Sequence, residues 1–265
     1  MRIDYHNRYG LFVLPRLAAL YKFSEKWYSR VGAGIGYKTP DPLIQQTTET
    51  DMRKVFPVTN NVRAENSLGL NLEFNYKGSV FKKGTITINQ AFFFTGIQSP
   101  VLAKTDADGS TVFYNETKAV TSKGSDTYIR LHLKKWELYF GYTFTIARNE
   151  FNTIQPYIVL TPRHRAATTL VYEIEKKWRF GWEGSYNGRQ YLNDGKKSPD
   201  YFFIAAMVER KFKKMSVVLN GENLLDARQT RYESIVLKPY INPSFKPLWG
   251  PIDGRIINIS VVFRM

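Results

Sequence analysis

The amino-acid sequence predicts an all-β protein, an antiparallel transmembrane β-barrel of which about eleven strands are present. Three observations lead to this fold class. Apolar and polar residues alternate over long stretches, short and long connections alternate along the chain, and lysines and aromatic residues gather where strands end. Each observation is typical of a sheet with one face in lipid and the other in a polar interior.

Alternation is the observation that defines the strands. In the segment 128–134, Ile129 and Leu131 share one face of a strand, whereas Arg130 and His132 share the other. Further segments continue this pattern, and none shows the period of an amphipathic helix. The predicted strands lie, in order, at 11–23, 27–38, 62–77, 84–97, 111–134, 136–148, 164–176, 178–191, 200–212, 214–223 and 254–264.

The connections between the predicted strands alternate in length. Short turns are predicted near 24–26, 78–83, 134–135, 176–177 and 212–214. Long loops are predicted at 39–61, 98–110, 149–163, 192–199 and 224–253. Because antiparallel strands put alternate connections at opposite ends of a sheet, one end carries the short turns and the other the long loops. Outer-membrane barrels sort their connections in this way, with the short turns in the periplasm.

The chain is strongly basic, with 38 Lys and Arg against 23 Asp and Glu and a formal net charge of +15. Lysine pairs recur at the short turns, at 82–83, 134–135, 176–177 and 213–214. In a barrel they would lie at the periplasmic rim near anionic headgroups, whereas in a soluble protein they would be ordinary polar hairpin tips. Nucleic acid is not expected as a partner, because the basic residues are spread over many hairpins without a nucleic-acid-binding motif.

Aromatic residues make up 15% of the chain, and several lie at predicted strand ends. Such positions suit the interfacial girdles of a barrel, and the alternative is ordinary core packing of a β-sandwich. The residues concerned are Trp27, Tyr28, Trp136, Trp178, Tyr201, Phe202 and Phe203.

The sequence offers no support for an enzyme, a cofactor or a metal site. The chain has no cysteine, and its three histidines show no metal-ligand spacing. Gly32, Gly34 and Gly36 lack the spacing of a dinucleotide-binding loop and share one strand face, where another part of the protein can approach the backbone. The segment 106–109 resembles part of a calcium loop without its downstream glutamate, so a hairpin tip is the simpler interpretation.

The first ten residues contain no apolar region of the kind that a signal peptide has. No stretch is long and apolar enough for a transmembrane helix either. We therefore expect either a cytoplasmic protein or a piece of a longer precursor.

Several motifs together resemble the C-terminal half of the barrel of a TonB-dependent outer-membrane receptor. They are R-I-D-Y-H-N-R-Y-G at 2–10 with L-P-R-L at 14–17, G-I-G-Y-K-T-P at 34–40, R-A-E-N-S at 63–67, G-E-N-L-L-D at 221–226 and P-L-W-G-P-I-D-G-R at 247–255. Each motif alone is weak. Their order and spacing across nearly the whole chain make the resemblance strong.

The resemblance implies a plugged barrel of about 22 strands, of which residues 1–265 would supply the C-terminal part. The N-terminal plug domain, the TonB box and the first half of the barrel are then expected to be absent from this sequence, as in a fragment or a truncated gene product. One departure lies at the end. Outer-membrane barrels usually finish on an aromatic residue, whereas Phe263 is followed by Arg264 and Met265.

The resemblance also implies a function. Such receptors lie in the Gram-negative outer membrane and import a scarce nutrient, such as a siderophore, haem, cobalamin or another chelate, with energy supplied through TonB. The expected partners are outer-membrane lipid and lipopolysaccharide, the receptor's own plug domain and N-terminal half-barrel, and the TonB complex; no cofactor is expected. The alternative is a soluble or secreted all-β binding protein, such as a lectin-like sandwich, which would be monodisperse without detergent.

Candidate ligand contacts are polar groups of the long loops and the adjoining wall. The run Arg163-His164-Arg165 would suit an anionic chelate, although solvated loop charge or contact with lipopolysaccharide phosphate is the alternative. The full set is His6, Arg8, Lys38, Gln45, Arg148, Arg163, His164, Arg165, Arg189, Arg228, Arg231 and Trp249.

The faces of the wall follow from the alternation. Leu131, Phe140, Phe180, Ile204 and Ile259 are expected to meet lipid, with Arg130, Glu137, Glu183 and Asn258 in the interior. Interior charges are the candidate contacts with the plug domain, namely Glu65, Glu73, Arg130, Glu137, Glu183 and Glu222.

Overall fold

The computed structural model describes residues 1–43, 54–81, 83–175 and 177–263. These residues fold as strands and loops, with one turn of 3₁₀-helix at Gln229–Arg231. In this part of the chain, no helix has the length and apolar character needed to cross a membrane.

Seventeen strands are present in the described chain. In chain order they are β1 (Arg2–His6), β2 (Gly10–Leu14), β3 (Arg16–Lys22), β4 (Trp27–Lys38), β5 (Glu65–Val80), β6 (Gly84–Gln98), β7 (Val101–Thr105), β8 (Thr111–Asn115), β9 (Val120–Leu133), β10 (Trp136–Asn149), β11 (His164–Ile174), β12 (Trp178–Asn187), β13 (Tyr201–Lys211), β14 (Met215–Glu222), β15 (Val236–Leu237), β16 (Ser244–Phe245) and β17 (Ile256–Phe263).

Eleven of these strands form one large antiparallel sheet, in the order β3-β4-β5-β6-β9-β10-β11-β12-β13-β14-β17. Each strand pairs with the next strand of the sheet along the chain, which is the up-and-down arrangement of outer-membrane barrels. The remaining six strands form three separate two-stranded sheets, β1 with β2, β7 with β8 and β15 with β16. The predicted fold class, an all-β antiparallel wall of about eleven strands, is confirmed.

The two ends of the large sheet differ as predicted. Short turns join β3 to β4, β5 to β6, β9 to β10, β11 to β12 and β13 to β14. Long connections follow β4, β6, β10, β12 and β14. We call the first the turn end and the second the loop end.

The predicted strand at 11–23 is wrong as a single element, because it divides at Pro15. Its first part, β2, pairs with β1 instead of joining the large sheet. Proline has no backbone N–H to donate to a ladder, although the carbonyl oxygen of Pro15 accepts a hydrogen bond from the N–H of Ile35 at 3.1 Å. Residues 11–14 are all apolar, so no change of period marks the break.

The predicted strand at 111–134 is wrong in the same way. Its first part, β8, pairs with β7, so the predicted loop at 98–110 contains a strand. Residues 116–119 separate β8 from β9, and the carboxylate of Glu116 accepts a hydrogen bond from the N–H of Thr117 at 2.8 Å. A polar residue that bonds its neighbour's backbone in this way competes with strand pairing.

The register divides the large sheet into an apolar face and a polar face. Residues directly opposite each other in neighbouring strands share a face, and Arg130 lies opposite Tyr139 while Leu131 lies opposite Leu138. Following the register across the sheet confirms both predicted sets. The apolar face holds Leu131, Phe140, Phe180, Ile204 and Ile259, and the polar face holds Arg130, Glu137, Glu183 and Asn258.

Two polar residues on the apolar face, Gln90 and Thr127, are hydrogen-bonded to each other. Gln90 lies opposite Thr127, whose hydroxyl donates to the side-chain oxygen of Gln90 at 2.6 Å. The amide nitrogen of Gln90 donates to the carbonyl oxygen of Asp126 at 3.3 Å. These bonds provide partners for polar atoms on an otherwise apolar face, which lowers the cost of placing them there.

Aromatic side chains form two bands on the apolar face. Near the turn end, Trp27 and Tyr76 lie with ring centroids 4.7 Å apart. Near the loop end, the rings of Tyr186 and Phe202 are 4.9 Å apart. The predicted girdle is correct for Trp27, Trp136, Trp178 and Phe202, and wrong for Tyr28, Tyr201 and Phe203, which the register puts on the polar face. Consecutive residues of a strand point to opposite faces, so neighbouring aromatic residues cannot both join one girdle.

A charge between the two bands should be tolerated on one face only. Phe140 lies on the apolar face, and the next residue, Gly141, lies on the polar face, where a Cβ added to the glycine would have no atom within 4 Å. We expect Phe140→Arg to lower the free energy of unfolding in a bilayer by about 2–4 kcal/mol, because arginine is costly at the lipid midplane. Gly141→Arg is the matched control and should cost clearly less; equal losses in urea unfolding would contradict the assignment of the faces.

Candidate functional site at the loop end

The polar face carries the candidate plug contacts, and several of them have partners within the wall. The carboxylate of Glu137 accepts hydrogen bonds from Nη2 of Arg130 at 2.6 Å and from the hydroxyl of Tyr139 at 2.5 Å. The guanidinium of Arg130 lies 5.2 Å from the ring centroid of Tyr139. These three side chains therefore form one connected polar cluster on the polar face.

The other candidate plug contacts are spread over the polar face. Glu65 accepts a hydrogen bond from the N–H of Val101 at 2.6 Å, and Glu222 accepts one from the amide of Asn220 at 2.8 Å. Asn71 donates to Glu73 at 3.5 Å, and Glu183 lines a concave part of the wall beside Arg179. Contact of these groups with a plug domain remains a prediction.

Gly32, Gly34 and Gly36 lie together on the polar face, as predicted. A Cβ at Gly32 would come within 2.3 Å of Oδ1 of Asn71, and one at Gly36 within 2.8 Å of Oγ of Ser67. The absence of side chains at these glycines thus allows polar side chains of β5 to lie across β4. A close approach by another part of the protein would meet those side chains first.

A small apolar core anchors the first long loops. Val62, Val101 and Phe113 are buried and pack together, which joins the segment before β5 to the β7–β8 hairpin. The side chain of Asn115 reinforces this contact, because its amide donates to the carbonyl oxygen of Arg63 at 3.0 Å. The loop end is therefore built, in part, like a small folded domain.

Three predicted ligand contacts lie beside this core. Nδ1 of His6 accepts a hydrogen bond from the N–H of Arg8 at 3.1 Å, and the guanidinium of Arg8 donates to the carbonyl oxygen of Val58 at 2.5 Å. Lys38 lies opposite Glu65 in the register of β4 and β5. The predicted contact Gln45 lies outside the described residues.

Two tyrosines and three cations lie together at the loop end in a group that we call the tyrosine cluster. The rings of Tyr157 and Tyr191 are stacked, with centroids 4.9 Å apart and an interplanar angle of 11°. The guanidinium groups of Arg163 and Arg148 lie 4.5 Å and 5.6 Å from the centroid of Tyr157. Nζ of Lys197 lies 5.0 Å from the centroid of Tyr191. Cations over ring faces are held in place by the ring quadrupole.

The tyrosine cluster borders a cavity of about 200 Å³. Its lining includes His164 and Arg189, and its charges are mainly positive. Asp200 is the carboxylate of the lining, and it already lies 3.8 Å from Nε of Arg189 and accepts the hydroxyl of Tyr186 at 3.0 Å. Nε of Arg163 is buried without an acceptor among the described residues. The arrangement can therefore take an anion with acceptor oxygens.

The structure brings four of the predicted ligand contacts to this region, namely Arg148, Arg163, His164 and Arg189. Arg165 lines a neighbouring cavity on the polar face with Asn187. The ligand contacts predicted from the sequence did not include Tyr157, Tyr191 or Lys197. No periodic pattern marks these residues, because the folding of two separate loops brings them together.

Two other predicted ligand contacts, Arg228 and Arg231, form ion pairs within the last long loop. Both guanidinium groups contact the carboxylate of Asp226, that of Arg228 at 2.9 Å. Burial raises the pKa of Asp226. The guanidinium groups of Arg228 and Arg231 lower it by more, so that the pKa lies below its usual value. The two arginines thus help to order the last long loop.

Asn223 fastens both ends of this loop. Its amide donates to the carbonyl oxygens of Ala227 at 3.0 Å and Asp253 at 2.9 Å, and its side-chain oxygen accepts the N–H of Ala227 at 2.8 Å. Asn223 has a φ of 48°, a conformation that asparagine tolerates better than most residues. The motif G-E-N-L-L-D therefore has a structural role as a clasp between β14 and β17.

The predicted contact Trp249 is buried, with 5% of its surface exposed. Its indole N–H donates to Oε1 of Glu233 at 2.6 Å, and its backbone N–H donates to Oε1 of Gln229 at 2.9 Å. Its carbonyl oxygen accepts the amide of Gln190 at 2.9 Å, which ties the last loop to the loop after β12. A ligand contact by Trp249 remains a prediction.

Among the described residues, no group of three or more His, Cys, Asp and Glu is placed to hold a metal ion. The calcium-like segment at 106–109 forms the tip of the β7–β8 hairpin. There Oδ1 of Asp108 accepts the N–H of Ser110 at 3.0 Å, and Gly109 has a φ of 80°. Hairpin tips commonly use these residues at these positions.

Removing the Asn223 clasp should loosen the last long loop. We expect Asn223→Ala to lower the free energy of unfolding by about 1–3 kcal/mol, because it removes the three hydrogen bonds through which the buried side chain of Asn223 joins Ala227 and Asp253. Limited proteolysis within 224–255 should become faster while the wall stays intact. Asn193→Ala, at an exposed loop position, is the control; equal cleavage of both variants would contradict the role of the clasp.

The same loop should respond to acid. Because the pKa of Asp226 is lower in the folded state than its ordinary value of 3.8, its stabilising effect is complete above that value and is lost as the pH falls through the lowered pKa. Protease protection of 224–255 should therefore fall below pH 3.8. Asp226→Asn should weaken protease protection at neutral pH and make that protection less dependent on pH. An unchanged loss of protection in acid in this variant would exclude Asp226 as the cause.

Solved receptor structures share this architecture. A variant of the ferric enterobactin receptor PfeA of Pseudomonas aeruginosa, in complex with enterobactin, is similar with a TM-score of 0.74 and 14% identity, covering 98% of this chain and 41% of that chain. The siderophore receptor PirA of Acinetobacter baumannii has a TM-score of 0.72 and 14% identity, covering 98% and 42%. The FrpB iron transporter of Neisseria meningitidis has a TM-score of 0.70 and 12% identity, covering 95% and 39%.

At these identities the likeness shows the fold, and the chain spans about two fifths of the length of those proteins. No curated protein matches the sequence. The sequence profile of the family described as TonB dependent receptor-like, beta-barrel, matches residues 1–224, which is most of the chain. The chain therefore belongs to the TonB-dependent receptor family, as part of its β-barrel.

Proposed function

We propose that residues 1–265 form the C-terminal part of the barrel of an outer-membrane receptor that imports a scarce nutrient. Membership of the TonB-dependent receptor family and the large antiparallel sheet support this proposal. A plug domain and an N-terminal half-barrel would complete the receptor, and the TonB complex would deliver energy through the plug. The loop end would face the outside and the turn end the periplasm.

The apolar face supports a location in lipid. Leu68, Leu70 and Leu72 follow one another along β5 on this face, and each exposes at least 38% of its surface. An exposed apolar strip of this kind is costly in water and favourable in hydrocarbon. Outer-membrane lipid would cover it, with lipopolysaccharide around the loop end.

The tyrosine cluster is the observation that carries the proposed binding role. It has several cations around two stacked rings at the loop end, and the carboxylate beside it, Asp200, is already engaged by Arg189 and Tyr186. Binding an anion there would compensate the excess of positive charge. An aromatic or planar ligand could also extend the stack of Tyr157 and Tyr191.

We infer that the nutrient is an anionic chelate, with an iron chelate as the leading candidate. Several similar structures are named for such ligands: PfeA binds enterobactin in one of them, and Fiu of Escherichia coli is named a ferric-catecholate import receptor. The tyrosine cluster supports the same chemistry here, since guanidinium groups bind carboxylate and catecholate oxygens well. The residues of the cluster bind and orient the ligand and perform no bond chemistry, so no enzymatic step is proposed.

The polar face would then line the route behind the plug. Glu137 and Glu222 are engaged within the wall but keep free acceptor capacity, because a carboxylate accepts more hydrogen bonds than they make here. Many modest contacts of this kind would hold a plug while leaving it able to be remodelled. The alternative function, a soluble all-β binding protein, would be favoured if the protein were monodisperse in buffer without detergent.

The binding role can be tested by changing the cluster without changing the wall. In cells that depend on this receptor for iron, we expect Arg163→Gln and Tyr157→Leu each to weaken uptake of the preferred chelate by about ten-fold, since each removes a charge-assisted or stacking contact. The uptake of the unchanged receptor should disappear when TonB is absent. Lys104→Gln, which removes an exposed cation of β7 that is paired with Asp106, is the matched control.

Two results would contradict the proposal in different ways. Uptake that continues without TonB would contradict active transport. Full uptake by both cluster variants, with normal amounts of receptor in the membrane, would remove the tyrosine cluster from ligand binding while leaving the transport function in place.

A further inference from the structure

The turn end of the wall carries a strong excess of positive charge. The five short turns in the described chain contain seven lysines and two glutamates. These are Lys26, Lys83, Lys134, Lys135, Lys177, Lys213 and Lys214, with Glu25 and Glu175. All seven lysines are exposed, so their charge is available to a partner at this rim.

The charge is most concentrated around Arg210, where two turns lie side by side. The carbonyl oxygen of Lys177 accepts the N–H of Lys211 at 2.8 Å, which joins the turn before β12 to the end of β13. Lys213 and Lys214 lie in the next turn along. We call Lys177, Arg210, Lys213 and Lys214 the Arg210 patch.

Aromatic rings hold the arginine of this patch in place on the apolar face. Arg210 lies opposite Trp178 in the register, and its guanidinium carbon is 4.6 Å from the indole centroid. The ring of Phe212 lies 5.6 Å from the same carbon. Stacking of this kind fixes the plane of a guanidinium while leaving its N–H groups free to donate.

The positive charge of the Arg210 patch is not offset by ion pairs in the described part of the chain. Among the ion pairs of the described residues, none joins a cation of the patch to a carboxylate. The nearby carboxylate of Glu173 pairs at 2.5 Å with Lys211, which lies on the polar face. Among the described residues of these two turns, Glu175 is the acidic residue, against three lysines.

We propose that the Arg210 patch binds the headgroup of an anionic phospholipid of the phosphatidylglycerol type in the periplasmic leaflet. The guanidinium and the lysines match a phosphodiester in charge, and arginine can bond two of its oxygens at once. Phe180, Val208 and Leu219 continue from the patch along the apolar face and would contact the acyl chains. The inference rests on the proposed orientation of the wall, with the turn end in the periplasm.

The geometry distinguishes this patch from the other basic turns. At the β9–β10 turn, Lys134 and Lys135 also precede a tryptophan, and the ring of Trp136 lies 4.5 Å from that of Tyr172. That turn has lysines alone, whose flexible ammonium groups are not pre-oriented by a ring. Selective binding of one lipid is therefore expected at the Arg210 patch in preference to the other basic turns.

Lipid retention by the receptor extracted from the outer membrane tests the proposal. Native mass spectrometry would compare the affinity for phosphatidylglycerol with that for phosphatidylethanolamine. The unchanged receptor should prefer phosphatidylglycerol, and Arg210→Gln with Lys213→Gln should reduce this preference by about five-fold for each cation removed. The matched control, Lys118→Gln with Lys196→Gln, removes two exposed cations from the loop end and should keep the preference.

Further measurements separate the site from its surroundings. Arg210→Lys keeps the charge but loses the stacked plane, so it should retain part of the preference. Nutrient uptake should be unchanged in all these variants, so that loss of uptake would bear on the proposed function and not on the lipid site. Lys213→Gln with Lys214→Gln, in an exposed turn, serves as the test if a change at Arg210 reduces assembly.

Three results would overturn the proposal. The first is equal affinity of the unchanged receptor for the two lipids. The second is a preference that survives removal of the patch cations. The third is competition by inorganic phosphate at concentrations similar to those of the lipid, which would show that the patch takes a free anion and not a headgroup.

Discussion

The continuous backbone ladder of the large sheet is the constraint on which the rest of the structure depends. Within hydrocarbon each N–H and carbonyl group needs a partner, so strands must pair along their whole length and in one register. That register alone decides that Arg130 lies on the polar face while Leu131 lies on the apolar face. Side chains obey the same requirement, as Gln90 and Thr127 do by bonding each other on the apolar face.

The wall was predictable because its signal is local and periodic. A strand with one face in lipid must alternate, and the alternation gave the large sheet, its faces and the sorting of its connections. The prediction failed where the pairing partner changes within one predicted strand, at Pro15 and between β8 and β9. The prediction also failed at Tyr28. An aromatic residue near a strand end joins a girdle only if its side chain points to the apolar face, and that of Tyr28 lies on the polar face.

The loop end was less predictable, since its contacts join residues that are far apart in sequence. Charge composition pointed to Arg163 and Arg189, but the stacking of Tyr157 on Tyr191 depends on how two loops fold. Other predicted ligand contacts, Arg228 and Trp249, have structural partners in the last loop. The sequence alone does not show whether a basic or aromatic loop residue stabilises the loop or binds a ligand.

The bond between Gln190 and the carbonyl oxygen of Trp249 has a consequence for how such a receptor could change its specificity. It makes the loop after β12 and the last loop a single unit, since each covers polar groups of the other. Exchanging one of them alone with a relative would leave the amide of Gln190 or the carbonyl oxygen of Trp249 without its partner. Transferring the ligand specificity of a relative should therefore require exchange of both loops together. The amino-acid differences between related receptors should also be correlated across these two segments.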